Sequence, residues 1–212
     1  MASLVLAASL RLWGVMQGQL IQHPDEVFIA LFPLNFFSGD LNPISFHYPT
    51  FYFYLVGLLY GTLFVGQMFF GPGWSPVEFA AYHYFWDLDS LLLLVRLMGV
   101  AFAVGTIAWT AHLAERVYGS RAGPMAGLAL AVCAIHVRQS PLASVDVMMT
   151  FWFVGALWAS VRLLERDEPW DYVLAGALVG LAGGTKYPGV SAGMAVAAAH
   201  LVSRRSLADR HI

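Results

Sequence analysis

The sequence predicts an all-α fold, a polytopic transmembrane helical bundle of about seven spans with a short interfacial helix in its first loop. Three observations predict it. The 212 residues are 59% hydrophobic and 11% charged, with mean hydropathy +0.67, whereas a soluble domain carries about 25% charged residues. The 13 acids and 11 bases are gathered in a few short stretches between apolar runs, so they cannot cover a water-facing surface. The runs themselves approach the roughly 20 residues that a helix needs to cross a bilayer.

Taken in order, the runs lie at 3–19, 51–70, 91–113, 123–136, 147–164, 172–184 and 187–202. The first lacks the basic start of a signal peptide and carries Arg11 in mid-run, so it reads as a retained span. The loop 20–50 that follows holds an apolar stretch, Phe28 to Phe37, too short to cross. A short aromatic-rich helix lying in the membrane interface fits it. The connection 71–90 is rich in aromatics and proline, which suits a belt at the membrane surface. The first, fourth, sixth and seventh runs are short. Their glycines and alanines, as in Gly176-xxx-Gly180, predict helices that approach one another closely. Residues 1–212 read as a single transmembrane module.

Charge excludes some functions and complicates the topology. A formal net charge of −2 provides no basic field for nucleic acid. Cys133 is the only cysteine, so there is neither a disulfide framework nor a thiol pair. Residues 12–95 contain no Lys or Arg, while Arg116/Arg121, Arg162/Arg166 and Arg204/Arg205/Arg210 form three clusters two spans apart, as cytoplasmic loops should. Counting seven crossings back from those clusters puts the base-free loop 20–50 on the same side as the arginines. Either 71–95 hides another crossing or some arginines serve something other than topology.

The densest polar stretch is His23-Pro24-Asp25-Glu26, just after the first span. Its acid pair fits general-base work on a hydroxyl or the holding of a cation. Helix capping accounts for it equally well, since acids suit the first turn of a helix. Adjacent helical side chains diverge by about 100°, so Asp25 and Glu26 do not share one proton and, if both act, act differently. His47 and Tyr48 close the same loop, where such residues also serve as interface anchors. Arg96 sits five residues into an apolar run, a placement that costs a few kcal/mol unless the side chain snorkels or meets an anion such as a lipid phosphate. Asp146 and Lys186, at the ends of later spans, fit either a cavity lining or simple loop roles. The run from Arg162 to Asp171, with Trp170, reads as a solvated, anchored loop. His112, His136 and His200 show no ligand spacing, and no phosphate-binding glycine motif is present.

An acid pair straight after the first span, followed by an interfacial stretch ending GDLNPISFHYPTFYFYL, resembles the protein O-mannosyltransferase and aminoarabinose-transferase group of C-type membrane glycosyltransferases. The likeness continues through VRLMGVAFAVGTIAWTAHLAERVYGSRAG, QSPLASVD and GLAGGTKYPG, and it is carried by the order of these pieces. The resemblance implies transfer of a monosaccharide from a polyprenyl-phosphate donor to a hydroxyl on a protein, lipid or glycan acceptor outside the cytoplasm. It implies Asp25 as the base, Glu26 assisting or binding acceptor, and Arg96, His47 and Tyr48 holding the phosphate, with Lys186 and Asp146 as further candidate substrate-binding residues. Members of this branch that use lipid monophosphate sugars need no metal, so neither metal nor cofactor is expected. Such proteins are usually longer, so the resemblance leads one to expect the N-terminal part of a larger enzyme; the expected location is the plasma membrane of a prokaryote. A transporter or lipid flippase, or a non-catalytic partner module, are the rival readings.

Overall fold

The computed structural model describes residues 2–17, 23–43, 45–166 and 168–208; the end of the expected first span, 18–19, and Arg210 lie outside them. Among the described residues all regular structure is helical: α1 (Ala2–Gln17), α2 (Pro24–Leu31), α3 (Phe51–Phe70), α4 (Pro76–Phe85), α5 (Leu88–Tyr118), α6 (Ala122–Ala131), α7 (Ala134–Gln139), α8 (Val145–Arg166), α9 (Pro169–Thr185) and α10 (Gly193–Ala208). Two 3-10 segments, Phe32–Ser38 and Tyr187–Ala192, follow α2 and α9. Three helices, α3, α5 and α8, are long and apolar enough to cross a membrane. The chain is an integral membrane protein.

Of the seven expected spans, the runs 51–70, 91–113 and 147–164 are met by helices of spanning length among the described residues, and the other runs form shorter helices. The run 123–136 is broken into α6 and α7 at Val132 and Cys133. Pro188 has no N–H to donate to a carbonyl of α9, and the helix ends at an extended Lys186 before the second 3-10 segment, in which Pro188 sits near the start. An added Cβ at Gly189 would lie 2.3 Å from the Ala182 carbonyl, a close approach that only glycine permits.

Contacts define two ends of the bundle. Helices α5 and α8 run parallel, with Phe102 on Phe151 at 5.2 Å, Trp109 on Trp158 at 4.8 Å, and Arg116 paired with Glu165. Each contact is seven residues beyond the last on both helices, the repeat that holds two helices along one stripe. Helix α9 returns antiparallel to α8, since Arg162 pairs with Asp171 and Lys186 with Asp146. Helix α6 packs back along α5, with Gly127 near Ala111 and Ile107, and α1 lies beside it with Ser3 near Gly127 and Gly14 against Pro141. One end, the loop end, gathers residues 23–26, 87–96, 140–146 and 185–187. The other, the arginine end, holds 116–121 and 162–171. The Arg162 to Asp171 run is thus more than a solvated loop: Asp171 is 1% exposed and its partner Arg162 lies over the Trp158 ring.

Helix α3 lies across the loop end. Phe51 at its start sits against Gly184 at the end of α9. Tyr60 donates to the Ala30 carbonyl of α2 at 3.2 Å. Gln67, near its C-terminus, meets His83 of α4, whose Nδ1 contacts the Asp87 carbonyl just before α5. Both ends of α3 thus touch the same end of the bundle, although its composition alone would pass for a span. Tyr52, Phe53, Val56 and Tyr60 are buried while Tyr54, Leu58, Val65, Met68 and Phe69 are exposed, so one apolar face packs on the protein and the other is left open. The Gly176 and Gly180 expectation is corrected as well: nothing lies within 4 Å of a Cβ built at either, so this face of α9 packs on no described residue.

Candidate functional site

The local sequence sends the two acids apart. His23 is the N-cap of α2, its Nδ1 accepting from the Asp25 amide at 3.3 Å, and its own amide donates to Glu26 Oε2 at 3.3 Å. This is a capping box with histidine in the place of serine or threonine, and Pro24 suits the first helical turn. Capping thus falls on His23 and Glu26 rather than on Asp25. With Glu26 turned inward, the next-door Asp25 points outward.

Glu26 is 0% exposed and faces Arg96, 4% exposed. Arg96 donates through Nε to Oε1 and through Nη2 to Oε2, both at 3.0 Å, and the Ala143 amide donates to Oε1 at 2.9 Å. A guanidinium fork on a carboxylate is the strong, directional form of ion pair. The oddity of an arginine inside an apolar run is answered by a carboxylate of the protein. The expectation that Arg96 holds a lipid phosphate meets a geometry in which its fork is turned onto Glu26.

The 140–143 turn that supplies the Ala143 amide is held on two sides. On α5, an added Cβ at Gly99 would lie 3.2 Å from the Ser140 carbonyl and 3.4 Å from that of Leu142, so helix and turn approach closely. From α1, the fully buried Arg11 donates through Nε to Ser140 Oγ at 3.2 Å, through Nη1 to the Ala7 and Ala131 carbonyls at 3.0 and 3.2 Å, and through Nη2 to His136 Nδ1 at 2.7 Å. A guanidinium only donates, so His136 Nδ1 is the accepting nitrogen. Ala131 ends α6, where carbonyls lack helical donors. Sequence reasoning missed this clamp. The signals were Arg11 in mid-run, which demands acceptors, and the break after Ala131.

Asp25 stands at a cavity of about 310 Å³ walled by Phe28, Phe32, His47, Tyr48 and Phe53. Its side chain is 38% exposed, and Tyr48 donates to its Oδ2 at 2.7 Å. The His47 ring stands edge-on to Tyr48 at 5.1 Å. On the far side of Tyr48, Lys186 Nζ lies 5.9 Å from the ring centre and pairs with Asp146 Oδ1 at 2.5 Å. Asp146 also accepts from the Ser144 hydroxyl at 3.2 Å, and Tyr187 donates to the Phe46 carbonyl at 2.9 Å. Asp146 and Lys186 thus reach Asp25 only by way of Tyr48: neither lines the Asp25 cavity, and Asp146 lines a separate pocket with His136 and Thr150.

Tyr48 has its phenol pushed up to about 12, first by burial, then by its hydrogen bond to Asp25 and the negative charge of Asp25 and Asp146. The phenol is therefore a donor at any pH the protein meets. Its contribution to stability is complete below pH 10.0, the ordinary phenol value, and is lost only as pH rises through about 12.

Among the described residues no group of three His, Cys, Asp or Glu side chains is placed to hold a metal ion. A larger cavity of about 490 Å³ lies at the arginine end between α5, α8 and α10, lined by residues such as Leu113, Val117, Leu157 and Val161. Among the described residues no charged side chain lines it, so size alone does not mark the chemistry. His112 lies near Trp158 and His200 bonds Tyr172, both away from Asp25.

No curated protein and no solved structure matches the chain. The dolichyl-phosphate-mannose-protein mannosyltransferase family matches over residues 78–212, a segment that contains Arg96, Asp146 and Lys186 and begins after Asp25, Glu26, His47 and Tyr48. Covering more than half of the chain, and joined to an apolar helical bundle with a carboxylate and a cation at one end, that match makes the chain a member of the dolichyl-phosphate-mannose-protein mannosyltransferase family.

Proposed function

We propose that the chain carries the site at which a monosaccharide passes from a polyprenyl-phosphate donor to a hydroxyl acceptor. The observation that carries this reading is a partly open carboxylate, Asp25, in an aromatic-walled cavity with the Lys186 ammonium just beyond Tyr48. Asp25 takes the proton of the acceptor hydroxyl. The acceptor oxygen then bonds to the sugar C1, the bond from C1 to the phosphate oxygen breaks, and the lipid phosphate leaves with that electron pair. Lys186, now on Asp146, offers a compact cation for the developing phosphate charge, and His47 lines the acceptor side. Glu26 and Arg96 act as a brace behind Asp25.

Attack from the face opposite the phosphate inverts the configuration at C1. The test supplies the purified chain with a labelled polyprenyl-phosphate mannose and a hydroxyl-bearing peptide, and determines the anomeric configuration of the product by NMR. A single displacement gives the inverted mannoside. A product of retained configuration, or uptake of the intact lipid into proteoliposomes without transfer, would refute the reading.

The same reading places the loop end outside the cytoplasm of a prokaryotic plasma membrane. With α3 lying on that face, six traverses remain, formed by α1, α5, α6 with α7, α8, α9 and α10. The count then agrees with most of the arginines: the base-free loop 20–50 falls outside and Arg116, Arg121, Arg162 and Arg166 fall inside, with Arg138 at the end of α7 on the loop-end side. In a Cys133→Ser background, Ser45→Cys and Val77→Cys should react with an impermeant maleimide from one side and Ser120→Cys from the other. Reaction of Ser45→Cys and Val77→Cys from opposite sides would show that α3 crosses.

A further inference from the structure

We infer that Tyr48 is a positioning residue for the reaction, holding one oxygen of Asp25 so that the other faces the acceptor, rather than a ligand of the donor phosphate. The inference rests on Asp25 as the base. A carboxylate on the first turn of a helix rotates freely about its side-chain bonds unless something fixes it. Among the described residues Asp25 has two neighbours able to do so: the Tyr48 hydroxyl at 2.7 Å and the His23 ring nitrogen at 3.7 Å. Only the first is at hydrogen-bond distance. His23 Nδ1 moreover accepts the Asp25 amide as helix cap, so it is occupied by the backbone. The Tyr48 bond leaves Oδ1 as the oxygen available to a hydroxyl in the aromatic cavity.

Tyr48 is itself held in place. The Lys186 ammonium lies 5.9 Å from its ring centre, within the range in which a cation is attracted by an aromatic face. The next residue, Tyr187, donates to the Phe46 carbonyl at 2.9 Å, which ties the 45–48 loop to the end of α9. Gly189 lets that turn press against the last turn of α9. The cation and the base are therefore joined through one phenol: Lys186 touches its ring and Asp25 its hydroxyl. A phenol already donating its only proton to Asp25 has none to donate to a phosphate.

The test measures kcat and KM for donor and acceptor in Tyr48→Phe, Tyr187→Phe and Asp25→Asn of the full chain, with polyprenyl-phosphate mannose and a hydroxyl-bearing peptide. Tyr48→Phe keeps the ring and removes the hydroxyl. It should lower kcat by roughly 10- to 100-fold, the scale of a hydrogen bond to a charged group, with both KM values within about 3-fold of wild type. Tyr187→Phe leaves Tyr48 and Asp25 chemically intact, and should lower kcat by about 3-fold or more with the unfolding temperature unchanged. This arm decides the matter should Tyr48→Phe fold poorly. A raised donor KM with normal kcat in Tyr48→Phe would assign Tyr48 to phosphate binding and overturn the inference. So would normal kcat in both tyrosine variants while Asp25→Asn is inactive, an outcome that leaves the proposed function standing. Full turnover in Asp25→Asn overturns the base assignment itself.

Discussion

Replacing Arg96 by leucine is expected to destabilise the protein by about 3–5 kcal/mol, the cost of leaving one buried partner of an ion pair without the other. Glu26 is 0% exposed and would keep its charge, or take up a proton, without the guanidinium that now balances it, the Ala143 and His23 amides still donating to it. The double change Glu26→Leu with Arg96→Leu removes both charges. It should recover much of the loss, short of about 1–3 kcal/mol for the Ala143 amide left without an acceptor. Unfolding midpoints in detergent for the two single variants and the double variant close the cycle. An Arg96→Leu midpoint close to wild type would mean that the pair is not a brace. The choice of leucine matters, because lysine would retain a charge while losing the two-point fit of the guanidinium.

The second large effect is on rate. Asp25→Asn should reduce sugar transfer on the order of 10²- to 10⁴-fold, the usual contribution of a positioned base, while unfolding stays within about 0.5 kcal/mol of wild type, as for substitutions that break no packing. An asparagine oxygen can still accept from Tyr48, the residue is partly exposed, and the cap of α2 is made by His23 and Glu26. Only basicity is lost. Measurement of single-turnover rates with a pre-bound donor separates this from any change in binding. Transfer by Asp25→Asn at the wild-type rate would remove Asp25 from the mechanism.

Much of this was legible in the residues, and the failures have physical causes. Helices α5 and α8 follow the apolar runs 91–113 and 147–164 and extend past them, because Asp87 caps α5 three residues before Ser90 and length statistics say nothing of caps. The apolar stretch 28–37 belongs to α2 and the 3-10 turn after it, close to the short interfacial helix expected. That both ends of α3 meet the loop end was invisible to hydropathy, since the composition of a helix carries no record of what its ends touch. The divergence of Asp25 and Glu26 followed from helix geometry alone. The partner of Arg96 did not, because Glu26 is 70 residues away, and neither did the joining of Asp146 and Lys186 to Tyr48. Such pairings are decided by which helix ends meet, and periodicity within one helix carries no record of that.

The parallel stripe between α5 and α8 has a mechanical consequence. It is pinned at one end by Arg116 and Glu165 and at the other by the 140–143 turn between Gly99 and Glu26. The two longest helices and the brace behind Asp25 therefore move as one body. Tyr48 and the Lys186 turn sit at the rim of that body, tied to it through the Asp25 and Asp146 side chains, and for the proposed transfer the give needed to admit a lipid and release a product would come from there. Damage to the rim should show as altered turnover in a standing protein. Damage to the column should show first as a protein that no longer stands.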